Sequence, residues 1–362
     1  MKLYIAGGCG EHGRNCFLLE DNGQYLMVDC GKGDNDVSFP QLTKEEIMKT
    51  EYLFLTHSHK DHSGGIQWMM KQGFHGSIIS TEETRIQCNI DNQNWRFLPV
   101  SKKHLPLELN ENLRVSWGRS GHCVGSVWYL IEWNSKQILF TGDYEEKSPF
   151  YYCDKIRNVS ADCAVIDCAY GNQDMDRSKI DSELIDAVCN SIEEAKTLML
   201  PVPKYGRGLE IIRLLSGIEK NFPIYVDHNL SMQISTKNAL WTDCMEVLPR
   251  DIEKWRGEPA VLLVSDPQLR KKDNYKFAVQ ILNAGGTVLL TGHIYPNTGS
   301  EYLLVQKLAK QIIYPVHMNY RDVCSFISKN KLHNIVLNHH LGKIVDKEKI
   351  TSDIKTGDII LF

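Results

Sequence analysis

Several things are scarce in this 362-residue sequence, and each scarcity excludes a class of protein. No stretch of 18 consecutive apolar residues occurs, so no membrane-spanning helix is expected. The opening MKLYIAGG has too short an apolar run for a signal peptide before it turns glycine-rich. Eleven cysteines are present, an odd number, and none forms a Cys-x-x-Cys pair. A disulfide framework or a thiolate zinc site needs regular pairing. Cys9, Cys16, Cys30, Cys163 and Cys168, which sit in or beside apolar runs, therefore read as reduced core residues of an intracellular, cytoplasmic protein. Excess positive charge is also missing: the formal net charge is −4, which excludes a globally basic nucleic-acid binder but leaves room for a local basic groove. There is no internal repeat, low-complexity tract or flexible linker. What remains is ordinary globular composition, 42% hydrophobic and 24% charged, at a length that suits two domains.

The hydrophobic pattern changes along the chain. KLYIA, NCFLLE, YLMVD and YLFLT are apolar runs of strand length bounded by Gly, Asn and Asp. GGIQWMMKQ reads as a short helix, and LRVSW, VWYLIEW, KQILFTGD and CAVIDCAYG as further strands. From about residue 176 strands and helices alternate. DRSKIDSELIDAVCNSIEEA, with Ile180, Leu184, Val188 and Ile192 near a 3.6-residue repeat, is followed by the strand TLMLPVP, the helix GLEIIRLLSGIEK, and the strands PIYVD, AVLLVS and TVLLTG. This alternation predicts a parallel α/β unit. The boundaries expected are 1–175 together with 312–362 for one domain and 176–311 for an inserted second. The tail IIYPVH, RDVCSFISKN, NIVLNHH and GDIILF is strand-rich again and returns to the first domain.

The chemistry concentrates in THSHKDHSGG, residues 56–65, where His57, His59, Asp61 and His62 fall within six positions directly behind a strand. A His-rich polar loop is the bland reading. Zinc, however, takes His nitrogen and carboxylate oxygen, and a catalytic zinc leaves one position open. A two-metal site needs about six or seven donors, one of them bridging. In an extended or turning loop, residues two apart share a side, so His57 and His59 can grip one ion while Asp61 and His62 turn towards another. Asp29, His122, Asp143, His317, His339 and His340 stand at the ends of other expected strands. Donors at strand ends can converge on one rim of a sheet. Any one of them alone reads as a hydrogen-bonded structural residue or a turn.

The Asp29 strand end, THSHKDH, SGHCVGS and FTGDY occur in the order of the metallo-β-lactamase fold, which the sequence therefore resembles. The opening GGCGEHGRNCFLLEDNGQYLMVDCG resembles that of the β-CASP nucleases. AVIDCAYG, LMLPVPKYGRGLEII, PIYVDHNL, AVLLVSDPQL and TVLLTGHIYPNTGS resemble their cap domain. The resemblance covers nearly the whole chain. It lies nearest the branch of RNA 3′-end cleavage endonucleases and, more distantly, ribonuclease J. It implies an αββα sandwich with an inserted α/β cap, and two Zn2+ ions at one edge. His57, His59 and His122 would hold the first ion, Asp61, His62 and His339 the second, and Asp143 would bridge. Asp29 would orient the site from behind, and Asp61, His317 and Asp167 would take part in catalysis. The second cap motif departs from the family pattern: His317-Met318-Asn319 stands where His-Thr-Asp is usual. At the third motif, strand alternation allows only one of His339 and His340 to reach the metal, and the preceding apolar residues favour His339.

The expected function is a zinc-dependent phosphodiesterase, a ribonuclease acting on single-stranded RNA with a hydroxide held between two metals. A His at the third motif tilts the substrate to RNA; a DNA nuclease is the alternative. A thioester or lactone hydrolase is disfavoured by the cap-like module, a flavodiiron enzyme by His59 and the lack of a flavodoxin-like module, and a ligand-less scaffold by the complete ligand set. Lys204 and Arg207, in PKYGRGLE at a strand-to-helix junction, are candidates for a substrate phosphate, against a solvated surface turn. LRKKDNYK, residues 269–276, reads as a solvated basic face. No membrane partner is expected; protein partners or a homodimer are open.

Overall fold

A computed structural model describes residues 1–33, 37–91, 94–99, 105–218, 222–235, 239–245, 248–341, 344–345 and 351–362. Their contacts divide into two units: Met1–Lys147 with Tyr152–Asp174 and His317–Phe362, and Ser148–Tyr151 with Met175–Val316. The expected boundaries at 175/176 and 311/312 differ from these by one and five residues, and the short segment Ser148–Tyr151 belongs with the second unit.

The first unit is built on two sheets. One has seven strands in the order Ile359–Leu361, Lys2–Gly7, Cys16–Asp21, Gln24–Val28, Thr50–Phe54, Ser77–Ser80 and Trp95–Phe97. The other has six, in the order Ile335–Asn338, Cys163–Asp167, Lys136–Phe140, Val127–Trp133, Leu113–Arg119 and Leu107–Asn110. Side chains alternate across each strand, which sorts the apolar residues into layers. Phe17 and Phe54 of the first sheet meet Phe140 and Tyr129 of the second, with ring centroids 5.9 Å apart for Phe17–Phe140 and 5.6 Å for Phe54–Tyr129. The opposite faces pack on helices: Leu18, Met27 and Leu53 bury with Ile47, Ile66 and Met69, and Leu139, Ala164 and Leu337 with Val323 and Phe326. The architecture is thus an αββα sandwich.

Polar bonds tie the two sheets close to one edge. The Tyr129 hydroxyl, fully buried, donates to the carbonyls of Leu55 (2.9 Å) and Ile79 (3.2 Å), and the Val127 amide donates to Thr56 O at 3.0 Å. Leu55 and Thr56 directly precede His57, so these bonds anchor the root of the His-rich loop.

The second unit is a six-stranded sheet in the order Arg250–Asp251, Ile224–Val226, Val261–Val264, Leu198–Pro201, Thr287–Leu290 and Ala309–Gln311, with every pairing parallel. The expected helix over 176–195 is present as Arg177–Glu193. The Asp176 side chain accepts from the Lys179 amide at 3.2 Å, and Leu184 and Val188 are buried. Helix Arg207–Ser216 follows the strand Leu198–Pro201; the expected end of that helix at 219–220 lies outside the described residues.

Two local expectations are corrected. IIYPVH forms no strand: Ile312 and Tyr314 donate singly to Leu290 O and Thr291 O, at 2.9 and 3.0 Å, and no ladder follows. Strands that escaped the apolar pattern include Ser77–Ser80, Trp95–Phe97 and Leu107–Asn110. They are short, and the latter two lie at sheet edges, where half-exposed polar residues hide the alternation. No helix among the described residues is long and apolar enough to cross a membrane.

Removing the inter-sheet ring at Phe54 should be costly because it opens a cavity between two fixed sheets. Phe54→Ala should lower stability by about 3–5 kcal/mol, read as a shift in urea midpoint at constant slope.

Candidate metal centre

The strands preceding the site run in one direction. Gln24–Val28 is parallel to Thr50–Phe54, and Lys136–Phe140, Cys163–Asp167 and Ile335–Asn338 are mutually parallel neighbours. Asp29, His57, Asp143, Asp167 and His339 follow or end these strands within three residues, so their side chains collect at one edge. His122 follows Leu113–Arg119, which shares this direction because both it and Lys136–Phe140 are antiparallel to Val127–Trp133.

The His-rich segment is part loop, part helix. His57 leaves the strand, His59 is the N-cap of a four-residue helix, Lys60–Ser63, and Asp61 and His62 lie on that helix. The loop reading of Asp61 and His62 is therefore corrected: a helical turn, not an extended chain, carries them. The helix is pressed against the segment after Val28. Cys30 donates to His62 O, Asn15 to Asp61 O and Gly65 to Cys30 O, each at 2.8 Å. Gly31 sits at this contact, where a Cβ would lie 1.8 Å from Asp61 O. Gly142, at φ 54°, likewise has to lack a side chain, since its Cβ would meet Thr56 at 2.9 Å.

Asp143 occupies the centre, 2% exposed. Its Oδ2 lies 3.3 Å from His57 Nε2 and 3.3 Å from His122 Nε2. His122 Nε2 lies 3.2 Å from His59 Nδ1. Asp143 Oδ1 lies 3.1 Å from His62 Nε2 and 3.3 Å from His339 Nδ1. Asp61 Oδ2 is 3.2 Å from His339 Nε2 and 3.5 Å from His62 Nε2. The two oxygens of one carboxylate thus face two different donor sets. Within each of the sets His57–His59–His122–Asp143 and Asp61–His62–His339, one ligand atom per residue lies within 4.8 Å of all the others. Asp143, Asp167, His317 and His339 form a third such set, which shares two members with the others. All seven residues expected to hold metal are brought together.

Charge inside the site is unbalanced. Burial opposes ionisation of Asp143, yet His62, His339 and His57 around it hold it well below the usual carboxylate range. Burial opposes ionisation of Asp61 too, and His62 and His339 overcome it in the same way. Burial lowers His59 to about 3, with His57 adding to the effect, and lowers His122 well below the usual imidazole value. For His62 and His339 burial is outweighed by Asp143, and both are raised. Three buried atoms at the centre, His57 Nε2, Asp143 Oδ1 and His339 Nδ1, make no hydrogen bond. Buried polar atoms that converge without hydrogen bonds fit a cation. Imidazole and carboxylate donors with no thiolate among them suit zinc or a neighbouring divalent metal.

A ring of supporting residues fixes the imidazoles. Asp29, at φ 59° and 2% exposed, accepts from His62 Nδ1 (2.7 Å), from the Thr56 amide (2.8 Å) and from the Thr56 hydroxyl (2.8 and 3.0 Å). Thr56 Oγ1 is in turn 3.1 Å from His57 Nδ1. With Nδ1 engaged, Nε2 of both rings is aimed at Asp143. Thr56 escaped the sequence reading although it stands in the motif; its signal was a polar residue at the strand end beside a ligand. Asn15 also escaped. It is fully buried, with Nδ2 3.0 Å from His62 Nε2 and 3.4 Å from Asp61 Oδ2, and nothing in its local sequence marks it.

His317 stands beside the donor sets. Its Nδ1 is 2.8 Å from Asp167 Oδ2 and 4.0 Å from Asp143 Oδ2, and its side chain is 11% exposed. Asp167 is held by the Tyr144 amide at 2.9 Å and the Ala169 amide at 3.2 Å. His339, not His340, faces Asp61 and Asp143, but strand alternation is not the cause. The strand ends at Asn338, and His339 takes a left-handed conformation, φ 69°, pinned by its amide bond to Gly8 O at 2.8 Å. His340 is buried, at 1% exposure.

Lys204 and Arg207 belong to the second unit. Lys204 is exposed, its Nζ 5.0 Å over the Tyr205 ring. Arg207 opens its helix, and its guanidinium rests on Gly292, where a Cβ would lie 1.9 Å from Nη1.

Residues 9–162 match the family model of the Metallo-beta-lactamase superfamily. Among curated relatives, the "Transcription termination factor FttA" of Methanothermobacter thermautotrophicus is 24% identical over 290 residues, covering 69% of this chain and 45% of that protein. The "Endoribonuclease YSH1" of Candida albicans is 23% identical over 252 residues, covering 59% and 29%. The "RNase J-like protein" of Methanocaldococcus jannaschii is 24% identical over 255 residues, covering 63% and 58%. The chain spans less than half the length of the first two. A crystal structure of a protein of unknown function from Enterococcus faecalis V583 shares the fold, with a TM-score of 0.63 at 11% identity, covering 100% of this chain and 99% of that one.

The Asp29–His62 bond should matter to metal rather than to folding. Asp29→Asn should lower zinc affinity about 10- to 100-fold, measured by competition with a chromophoric chelator, while the far-ultraviolet dichroism stays that of the wild type.

Proposed function

We propose that this chain, whose first unit is a metallo-β-lactamase domain, hydrolyses phosphodiester bonds in single-stranded RNA with two zinc ions, and that its α/β unit is a β-CASP cap. One observation carries the reading above all: the Asp143 carboxylate, buried, turns one oxygen to His57 and His122 and the other to His62 and His339. That is the arrangement a bridging ligand needs. The relatives named for endoribonuclease activity support the choice of RNA.

On this reading His57, His59 and His122 hold one ion, Asp61, His62 and His339 the other, and Asp143 both. Bound there, a zinc pair would act as a Lewis acid on the phosphate and supply a nucleophile from water at neutral pH. The remaining chemistry is the chain's own. With Nδ1 engaged by Asp167, His317 exchanges protons through Nε2 and can protonate the departing 3′ oxygen. Asp167, held by two backbone amides, stays ionised and keeps this ring in one orientation: burial opposes its charge, but His317 and His339 draw its pKa well below the usual value. The products are then a 5′-phosphate and a 3′-hydroxyl. Asp29 and Thr56 act as positioning residues through His57 and His62.

The test pairs metal content with cleavage. The wild type should carry about two zincs per chain by elemental analysis and cut labelled single-stranded RNA in preference to DNA of equal sequence. Asp61→Ala with His62→Ala should lose at least about one zinc and cleave more than about a hundredfold slower. A metal-free wild type, or cleavage unchanged in the double variant, would sink the reading; preferred cleavage of DNA would replace the substrate. His317→Ala should keep both zincs while slowing cleavage about 10²- to 10⁴-fold, the effect of losing a general acid.

A further inference from the structure

The α/β unit displays a second constellation that the metal centre does not use. Its three central strands, Val261–Val264, Leu198–Pro201 and Thr287–Leu290, are parallel, so the loops that follow them leave from one edge of the sheet. The loops after Val264 and Pro201 each present a cation set against an aromatic ring, and the loop after Leu290 presents His293 and Tyr295.

The loop after Val264 is wound tightly by Asp266. Its carboxylate accepts from the Arg270 amide at 3.1 Å and the Lys271 amide at 2.9 Å. Leu269, at φ 49°, plugs into the core at 2% exposure, and this turns Arg270 outward, where it is exposed. Gln268, 7% exposed, straps the neighbouring loop: Nε2 donates to His293 O at 2.8 Å and Oε1 accepts from the Tyr295 amide at 2.9 Å. Thr298 Oγ1 donates to Tyr295 O at 2.8 Å. The backbone of Tyr295 is therefore pinned on both sides, although its ring is outside the buried core.

The ring instead joins a surface cluster. The Arg270 guanidinium lies 5.9 Å from the Tyr295 centroid, and the exposed His293 ring lies edge-on at 5.1 Å. In the loop after Pro201, Lys204 stands 5.0 Å over Tyr205, and Arg207 rests on Gly292, one residue before His293. Cations interleaved with flat rings on preorganised loops match the needs of a single-stranded nucleic acid. Every base offers a π-face to a ring, and each phosphate offers charge to a cation.

We infer that the Arg270–Tyr295–His293 cluster is a base-stacking platform for single-stranded RNA, with Lys204 and Arg207 taking backbone phosphates beside it. This rests on the nuclease reading. The contact is sequence-tolerant, since stacking needs only an unpaired base.

Binding of a short fluorescent uridine oligonucleotide is measured by anisotropy in chelator, so that it stays intact, and cleavage of the same strand is assayed separately with zinc. Tyr295→Ala should weaken binding about tenfold, the usual size of one lost stacking contact, whereas Tyr295→Phe should bind like the wild type. An otherwise identical strand carrying abasic sites should not distinguish Tyr295→Ala from the wild type. Equal binding by Tyr295→Ala and wild type, with cleavage intact, overturns the platform and leaves the nuclease standing. An equal loss on the abasic strand, or on both strands with Tyr295→Phe, overturns stacking. Uridine monophosphate bound as tightly as the oligonucleotide overturns a strand-binding role. A wild type that neither binds nor cleaves the strand overturns both readings.

Discussion

One buried carboxylate organises this molecule's chemistry. Asp143 is nearly inaccessible, and four imidazoles lie 3.1–3.3 Å from its two oxygens. A buried carboxylate is expensive unless opposite charge compensates it. The compensation comes from histidines carried by both sheets, His57 and His62 behind one and His339 behind the other, and so the sheets must be held in fixed relation. The Tyr129 and Val127 bonds across the sandwich, and the glycines at 31 and 142, serve that closeness. Helix Lys60–Ser63 is too short to stand alone, and its place comes from backbone bonds to the segment after Val28 rather than from helix propensity.

The supporting residues show how precision is reached. Asp29, Thr56, His57 and His62 form a connected network in which the Nδ1 atoms of His57 and His62, facing away from Asp143, each have a partner. Two residues in the left-handed region, Asp29 and His339, stand at the site; such conformations persist only where surroundings enforce them. At His339 the enforcement is visible as the amide bond to Gly8. The same logic recurs in the α/β unit, where the left-handed Leu269 turns Arg270 outward and Gln268 secures the next loop. Local strain is used in both units to aim a side chain that ordinary strand geometry would not present.

Much of the fold was legible. The strands from Lys2 to Phe54 and from Leu113 to Asp167 announced themselves by apolar runs between turn residues, because a strand covered on both faces needs little polar alternation. The short edge strands did not, and IIYPVH misled because Tyr314 and Val316 are buried without entering a ladder. At the site, the density of His57, His59, Asp61 and His62 marked a metal-type loop, and strand-end positions drew in His122, Asp143 and His339. Thr56 and Asn15 were not singled out, since a lone Thr or Asn has many uses and only contact with an imidazole reveals this one. Strand alternation does not explain why His339 rather than His340 faces Asp61 and Asp143: the strand ends at Asn338, and the left-handed turn at His339 sets the ring.

The sequence by itself determined the identities of the donors and their order, because ligand chemistry is a property of side-chain type and of spacing after a strand. Only the tertiary structure decided which oxygen of Asp143 faces which histidines, that His317 is paired with Asp167, and that Asp29 reaches His62 across 33 residues. Those relations are non-local. They depend on sheet register, backbone turns at single residues and the packing of one sheet on another, and a chain read in one dimension carries no distance between its distant parts.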